Sequence, residues 1–176
     1  MGVTIVIPAR YGSTRLPGKM LLAETGKPLI QHTYEQALKV KNVNNVLVAT
    51  DDERIQKAVQ KFSGNVFMTS TACKSGTDRV AEIAGKGWYK PDELFVNLQG
   101  DEPEIDPQAV TDLINVMDAV EYVPVGTLAA YRMSDELRTH HHLNRVSPNL
   151  VKAVIDRQGD ALYFSRQEIC DKPLHQ

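Results

Sequence analysis

The sequence predicts an α/β fold built on a doubly wound, mainly parallel sheet, with a late antiparallel β-ribbon. Short β-branched apolar runs recur with helix-period segments between them, in the order βαβαβαβαβ. In the first hundred residues, every chemically suggestive stretch follows one of those runs. The last part of the chain then changes to two strand-like runs around Gly159.

The elements follow in order. "VTIVIP" (3–8) reads as a buried strand, short and β-branched. In "PLIQHTYEQALKV" (28–40), Leu29, Ile30, Tyr34, Ala37 and Leu38 fall near one helical face. "VLVAT" (46–50) is a second buried strand, and Asp51 is placed to cap a helix whose inner face holds Ile55, Ala58, Val59 and Phe62. "NVFMT" (65–69) is a third strand. The loop "STACKSGT" leads to a helix from about Asp78 to Ala84, with Thr77 or Asp78 at its start. "ELFVNLQ" (93–99) is the fourth strand. Asp106-Pro107 supplies an N-cap acceptor and a proline at the first helical position, for a helix running to about Ala119. "PVGTLAAYR" (124–132) reads as a strand with mixed faces, 133–149 as polar and irregular, and 150–166 as the ribbon.

Composition narrows the function classes. A length of 176 residues suggests one domain, and 42% hydrophobic residues suffice for a real core. A formal charge of −2 argues against a general nucleic-acid surface, so any anion site must be local. Cys73 and Cys170 are far apart, form no CxxC pair and read as free thiols of a reducing compartment. The start "MGVTIVIPAR" has no basic region of a signal peptide, and no run approaches the ~20 apolar residues of a membrane span. The expectation is a cytoplasmic enzyme or binding domain without membrane insertion.

"IPARYGSTRLPGKM" (7–20) places Arg10, Arg15 and Lys19 behind the first strand with no acid among them. It is not a P-loop. Gly12 and Gly18 stand too far apart, Met20 replaces the hydroxyl that holds magnesium, and Pro17 removes an N–H from the cradle. It reads instead either as a solvated surface loop or as an anion site of guanidinium forks and an ammonium. Its place beyond the carboxyl end of a strand favours the anion site. "QGDEP" (99–103) puts Asp101 just past the fourth strand, after a glycine, as a magnesium ligand or a turn acid. Glu102 is a weaker candidate for the same role. A basic loop and a metal carboxylate together suit a nucleoside triphosphate. In "KSGTDR" (74–79), Ser75 and Gly76 offer backbone groups to a base or ribose, beside a capping role. His140, His141 and His142 are adjacent and diverge, so they make a poor metal site, and His32 reads as structural. Ser13 belongs to no recognisable catalytic triad.

Taken together and in order, "VIPARYGSTRLPGK", "ATDDERI", "SGTDR", "VNLQGDEP" and "PNLVKAVIDRQGDALYFSR" resemble the 3-deoxy-manno-octulosonate (Kdo) cytidylyltransferases, from residue 4 to about residue 169. The first and fourth motifs joined to "ALYFSR" are very specific, whereas "ATDDERI" alone is weak. The resemblance implies a nucleotide-sugar-transferase (Rossmann-like) sheet forming a single nucleotide-binding domain over residues 1–176. It also implies transfer of CMP from CTP to Kdo with release of pyrophosphate, for lipopolysaccharide synthesis, by a cytoplasmic, magnesium-dependent and usually dimeric enzyme. It assigns Arg10, Arg15 and Lys19 to the triphosphate, and Ala9, Ser13, Ser75, Gly76 and Gln99 to the surroundings of the nucleotide. Asp101 is assigned to magnesium and Arg166 to the sugar carboxylate, with Arg10, Lys19 and Asp101 as the catalytic set. Two departures stand out. The family's chains run on past the position of Gln176, and "ICDKPLHQ" lacks the usual proline after Ile169. A non-catalytic nucleotide-binding remnant, or a cytidylyltransferase for another acid sugar, are therefore the alternatives.

Overall fold

β1 (Val3–Pro8) is buried along its whole length and forms the axis of the molecule's parallel sheet. The structure is a computed structural model that describes residues 1–12, 16–120, 123–129 and 151–167. Ser13, Arg15, His140, His141, His142 and Cys170 lie outside the described residues. The chain divides into two compact units, residues 1–126 and 127–176.

In the first unit, β2 (Asn45–Thr50), β3 (Val66–Met68) and β4 (Leu94–Asn97) join β1 in the order β3-β2-β1-β4, all parallel. The register sets Val6 beside Leu47 on one side and Asn97 on the other. The chain steps outward from β1 to β2 and β3, then crosses back to place β4 on β1's free side. That reversal opens a crevice between the loops that leave β1 and β4, where open α/β sheets bind their ligands.

Side-chain alternation along the strands builds two cores. Val3, Ile5 and Ile7 of β1 and Val46 and Val48 of β2 face one way. They pack with Ile30, Tyr34 and Ala37 of α1 (Leu29–Ala37), Ile55 and Val59 of α2 (Glu53–Lys61), and Val110 and Ile114 of α4 (Pro107–Ala119). Val6 and Ala49 face the other way, onto Ile83 of α3 (Gly76–Ala84) and the rings of Phe67, Tyr89 and Phe95. Helices thus cover both faces of a parallel sheet, as the periodicity predicts. Tyr34 ties the layers together: its hydroxyl donates to the Val46 carbonyl (3.3 Å) and accepts from the Asn65 amide (3.0 Å).

Several boundaries differ from expectation. Leu38, assigned to the buried face of the first helix, is exposed because α1 ends at Ala37. Asp52, not Asp51, caps α2, accepting from the Arg54 amide at 2.9 Å. Ser75 rather than Thr77 or Asp78 caps α3, in a reciprocal box: its hydroxyl accepts from the Asp78 amide (3.0 Å) and its own amide donates to Asp78 (2.9 Å). The strand expected over 124–132 is absent from residues 124–129, and residues 130–132 lie outside the described set. Val125 there is 79% exposed, and a Cβ on Gly126 would stand 2.5 Å from Met117 Sδ, so Gly126 lies against α4 instead of extending the sheet. Asp106 and Pro107 do cap and start α4 as expected, with Asp106 accepting from the Gln108 amide at 2.9 Å.

The second unit contains the antiparallel ribbon of β5 (Lys152–Ile155) and β6 (Ala161–Ser165). Asp156 shapes its turn by accepting from the amides of Gln158 and Asp160, both at 2.9 Å, and Gly159 adopts φ 95°. Leu162, Tyr163 and Phe164 are exposed on the ribbon.

The Asp78 carboxylate accepts from two backbone amides, Lys74 and Ser75, and these bonds hold its pKa below the ordinary 3.8. A carboxyl depressed on folding stabilises the native state above its unfolded pKa and stops doing so as pH falls through the folded value. The melting temperature is therefore expected to fall as pH drops below 3.8. The fall should be shallower in Asp78→Asn, as read by thermal denaturation across that range.

Candidate functional site

The loop that leaves β1 and the loop that leaves β4 meet at the crevice. Gly18 adopts φ 71°, a conformation that favours glycine, and its amide donates to the Tyr11 carbonyl at 2.9 Å. This turn starts a single 3-10 turn, Lys19–Leu21. Met20 of that turn is buried in the main core, so the turn is anchored from below. Lys19 is thereby presented upward, and its Nζ donates to Asp101 Oδ2 in an ion pair.

Asp101 owes its place to the opposite loop. Gly100 is buried, and the Thr33 hydroxyl of α1 donates to its carbonyl at 2.9 Å. A Cβ on Gly100 would stand 3.0 Å from the Pro8 carbonyl oxygen, so the loop from β4 packs directly on the end of β1. The Glu102 amide closes the turn onto the Gln99 carbonyl at 3.2 Å. Desolvation, with Asp101 beside it, pushes the Glu102 carboxyl above its usual value.

The third wall is the start of α3. A Cβ on Gly76 would lie 2.9 Å from Pro8 Cγ and 3.7 Å from Gln99 Nε2. Pro8, Gly76 and Gln99 therefore share one small region, with Gln99 donating to Asn97 Oδ1 at 3.0 Å. Ala9 is buried beside it, its amide donating to the Ala49 carbonyl at 2.8 Å. Ser75 spends both its hydroxyl and its amide on the helix cap. Gly76→Ala forces a methyl against a rigid proline ring and is expected to destabilise by roughly 1–3 kcal/mol, measurable by urea denaturation.

Of the sequence-designated residues, the structure gathers Ala9, Lys19, Gly76, Gln99 and Asp101 around the ends of β1 and β4, with Ser75 capping α3 alongside. Arg10 is exposed at the end of β1. Ser13 and Arg15 fall outside the described residues. Arg166 belongs to the second unit, where its carbonyl accepts from Lys152 Nζ at 2.9 Å. His32 is engaged with the Thr25 hydroxyl at 2.7 Å, in keeping with a structural role.

Other residues shape the site without having been singled out. Arg79 of α3 is 4% exposed and reaches under the loops that leave β2 and β3. It donates to Asp51 Oδ2 at 2.8 Å, to the Thr69 hydroxyl and to the Ser70 carbonyl at 3.4 Å. Its only sequence signal was its place in "SGTDR". Thr33, midway along α1, gave none. Glu82 accepts from the Ser70 amide (2.8 Å) and from Cys73 Sγ (3.3 Å). Burial and Glu82 push the Cys73 thiol up, which leaves it a poor nucleophile.

A cavity of about 570 Å³ opens at the opposite, amino-terminal edge of the sheet, lined in part by Asn44, Asn45, Asn65 and Glu93. Each of these side chains is already bonded into the strand starts. Asn44 accepts from the Val3 amide (2.8 Å), Asn65 donates to the Val46 carbonyl (3.2 Å), and Thr4 donates to Glu93 (2.6 Å) while accepting from Asn45 (3.3 Å).

Among the described residues no group of three or more His, Cys, Asp or Glu is placed to hold a metal. A lone carboxylate still suits magnesium, which keeps most of its shell as water and substrate phosphate. Asp101 offers one such carboxylate, its side chain 43% exposed.

Comparison with known proteins agrees with this fold. The family model described as Cytidylyltransferase matches residues 4–172. A 3-deoxy-manno-octulosonate cytidylyltransferase from Geobacter metallireducens is 46% identical over 169 residues, covering 96% of this chain and 63% of the relative. An 8-amino-3,8-dideoxy-manno-octulosonate cytidylyltransferase from Shewanella halifaxensis is 44% identical, covering 96% of this chain and 66% of that protein. A solved structure of CMP:2-keto-3-deoxy-manno-octonic acid synthetase complexed with CTP superposes with a TM-score of 0.82 at 44% identity, over 99% of this chain and 67% of that one. The chain thus spans about two thirds of the length of the relatives it matches.

Proposed function

Because the chain belongs to the cytidylyltransferase family, we propose that its site transfers CMP from CTP to Kdo with release of pyrophosphate, for lipopolysaccharide synthesis in the cytoplasm. The observation that carries this reading is the meeting of the Lys19 ammonium with the Asp101 carboxylate, contributed by loops 82 positions apart. Lys19 from the loop after the first strand and Asp101 from the loop after the fourth thus bring a cation for phosphate oxygens and a carboxylate for a metal to one place, the two kinds of group that a polyphosphate with its metal uses.

In this reading Arg10, Arg15 and Lys19 neutralise the triphosphate. Ala9, Ser13, Ser75, Gly76 and Gln99 surround the nucleoside, the close approach of Gly76 to Pro8 keeping that wall low. Asp101 is the residue that would hold magnesium, which would supply positive charge to neutralise the phosphates. Arg166 meets the sugar carboxylate through its fork. The anomeric hydroxyl oxygen bonds to the α-phosphorus as the bond from that phosphorus to the pyrophosphate oxygen breaks. The hydroxyl proton leaves to solvent. Lys19 and the arginines stabilise the charge that grows on the phosphoryl and leaving oxygens. The working enzyme in this reading is a homodimer.

The test is to incubate the chain with CTP, magnesium and Kdo and to follow pyrophosphate, with parallel arms containing UTP or the 8-amino sugar. Pyrophosphate that depends on both CTP and Kdo supports the proposal. Faster release with the 8-amino sugar reassigns the acceptor. Binding of CTP without pyrophosphate from any acid sugar identifies a nucleotide-binding remnant, and failure to bind CTP overturns the reading.

A further inference from the structure

Arg54 stands at the first turn of α2, an element that carries none of the residues assigned to the nucleotide, yet it reaches the loop that presents Lys19. Its guanidinium carbon lies 3.3 Å from the centroid of the Tyr11 ring, well inside the range of a cation–π contact. It is aimed there by Asp52, which accepts from Arg54 Nε at 2.9 Å and from Nη2 at 2.6 Å. Asp52 in turn is fixed as the N-cap of α2. The fork is therefore held rigidly from a helix end, although the arginine side chain is 58% exposed.

Tyr11 joins this helix end to the turn. Its carbonyl accepts the Gly18 amide at 2.9 Å. A Cβ built on Gly18 would be 3.1 Å from Tyr11 Cε2 and Cζ, so the ring lies directly against the glycine. Gly18 is the residue whose φ of 71° starts the turn carrying Lys19. A continuous chain of contacts thus runs from the α2 cap through Arg54, Tyr11 and Gly18 to Lys19 and Asp101.

We propose that Arg54 is a positioning residue that clasps Tyr11 and thereby holds the Gly18 turn in the geometry that presents Lys19 to the triphosphate. It acts through Tyr11 and Gly18 rather than as a ligand of the triphosphate. It acts by keeping the turn formed before substrate arrives, so that ordering the loop does not weaken nucleotide binding. The proposal rests on the reading of Lys19 as a triphosphate ligand. The clasp itself can be measured without substrate.

The test compares the unmodified protein with Arg54→Met, which keeps bulk and removes the cation, and Arg54→Lys, which restores a cation. Hydrogen exchange of the Gly18 amide is followed without nucleotide, with the β1 amides as an internal reference for global stability. Arg54→Met is expected to speed Gly18 exchange roughly two- to fivefold, the worth of an exposed cation–π contact, with Arg54→Lys in between and β1 unchanged. KM for CTP should rise by a similar factor with kcat nearly constant. If Arg54→Met proves unstable, Tyr11→Leu serves in its place and Tyr11→Phe is the control that keeps the ring. Unchanged Gly18 exchange overturns the clasp, whatever the kinetics show. Faster exchange in a protein that never binds CTP upholds the clasp and overturns the nucleotide reading instead.

Discussion

Lys19→Ala is expected to lower kcat/KM for CTP by about 10²–10³-fold, the scale of losing one preorganised group aimed at transition-state charge. Its effect on stability should be small. The Lys19–Asp101 pair is partly open to water, with side chains 25% and 43% exposed, and such pairs contribute only ~0–1 kcal/mol. The two effects must therefore separate: turnover collapses while the urea midpoint hardly moves. Asp101→Asn, which keeps shape and removes charge, should behave alike. Steady-state kinetics set beside urea denaturation of each variant provide the check. Turnover within tenfold of the unmodified protein in both variants would remove the basis for the proposed chemistry.

The largest loss of stability is expected from Asp51→Ala. Arg79 is buried under the carboxyl edge, its side chain 5% exposed, and Asp51 is its one charged partner among the described residues. Removing that acid strands a cation with only the Thr69 hydroxyl and the Ser70 carbonyl. Breaking a buried pair from one side typically costs about 3–5 kcal/mol. Arg79→Met should cost less, because Asp51 is 22% exposed and can turn to water once its partner is gone. Urea denaturation that finds Asp51→Ala milder than Arg79→Met would contradict this account. Loss of the pair also loosens the ends of β2 and β3 against α3, so nucleotide affinity should fall along with stability.

The fold was legible where its determinants are local and periodic. The bounds of β1 and α4 agree with those read from sequence: an unbroken β-branched run has no other low-energy use, and Asp106-Pro107 satisfies an amide and presets φ at one place. Competition between adjacent acids was not legible. Asp51 and Asp52 are equivalent caps in sequence, and the choice fell to Asp52 because Asp51 is drawn to Arg79, 28 positions away. Over the described residues 124–129 the expected strand is absent for a related reason. Its mixed pattern specifies no burial, and Gly126 found its contact on α4.

The sequence alone determined which chemistry this chain can present: three cations without an acid after the first strand, an Asp after the fourth, and strands whose order sends both to one edge. Only the tertiary structure decided that Lys19 and Asp101 touch, that Thr33 and Pro8 hold the Asp101 loop, and that Tyr11 and Arg54 brace the turn beneath Lys19. Periodicity and caps act within a few residues along the chain. Contacts between loops depend on the packing of distant elements, which becomes defined only when the sheet has closed on its helices.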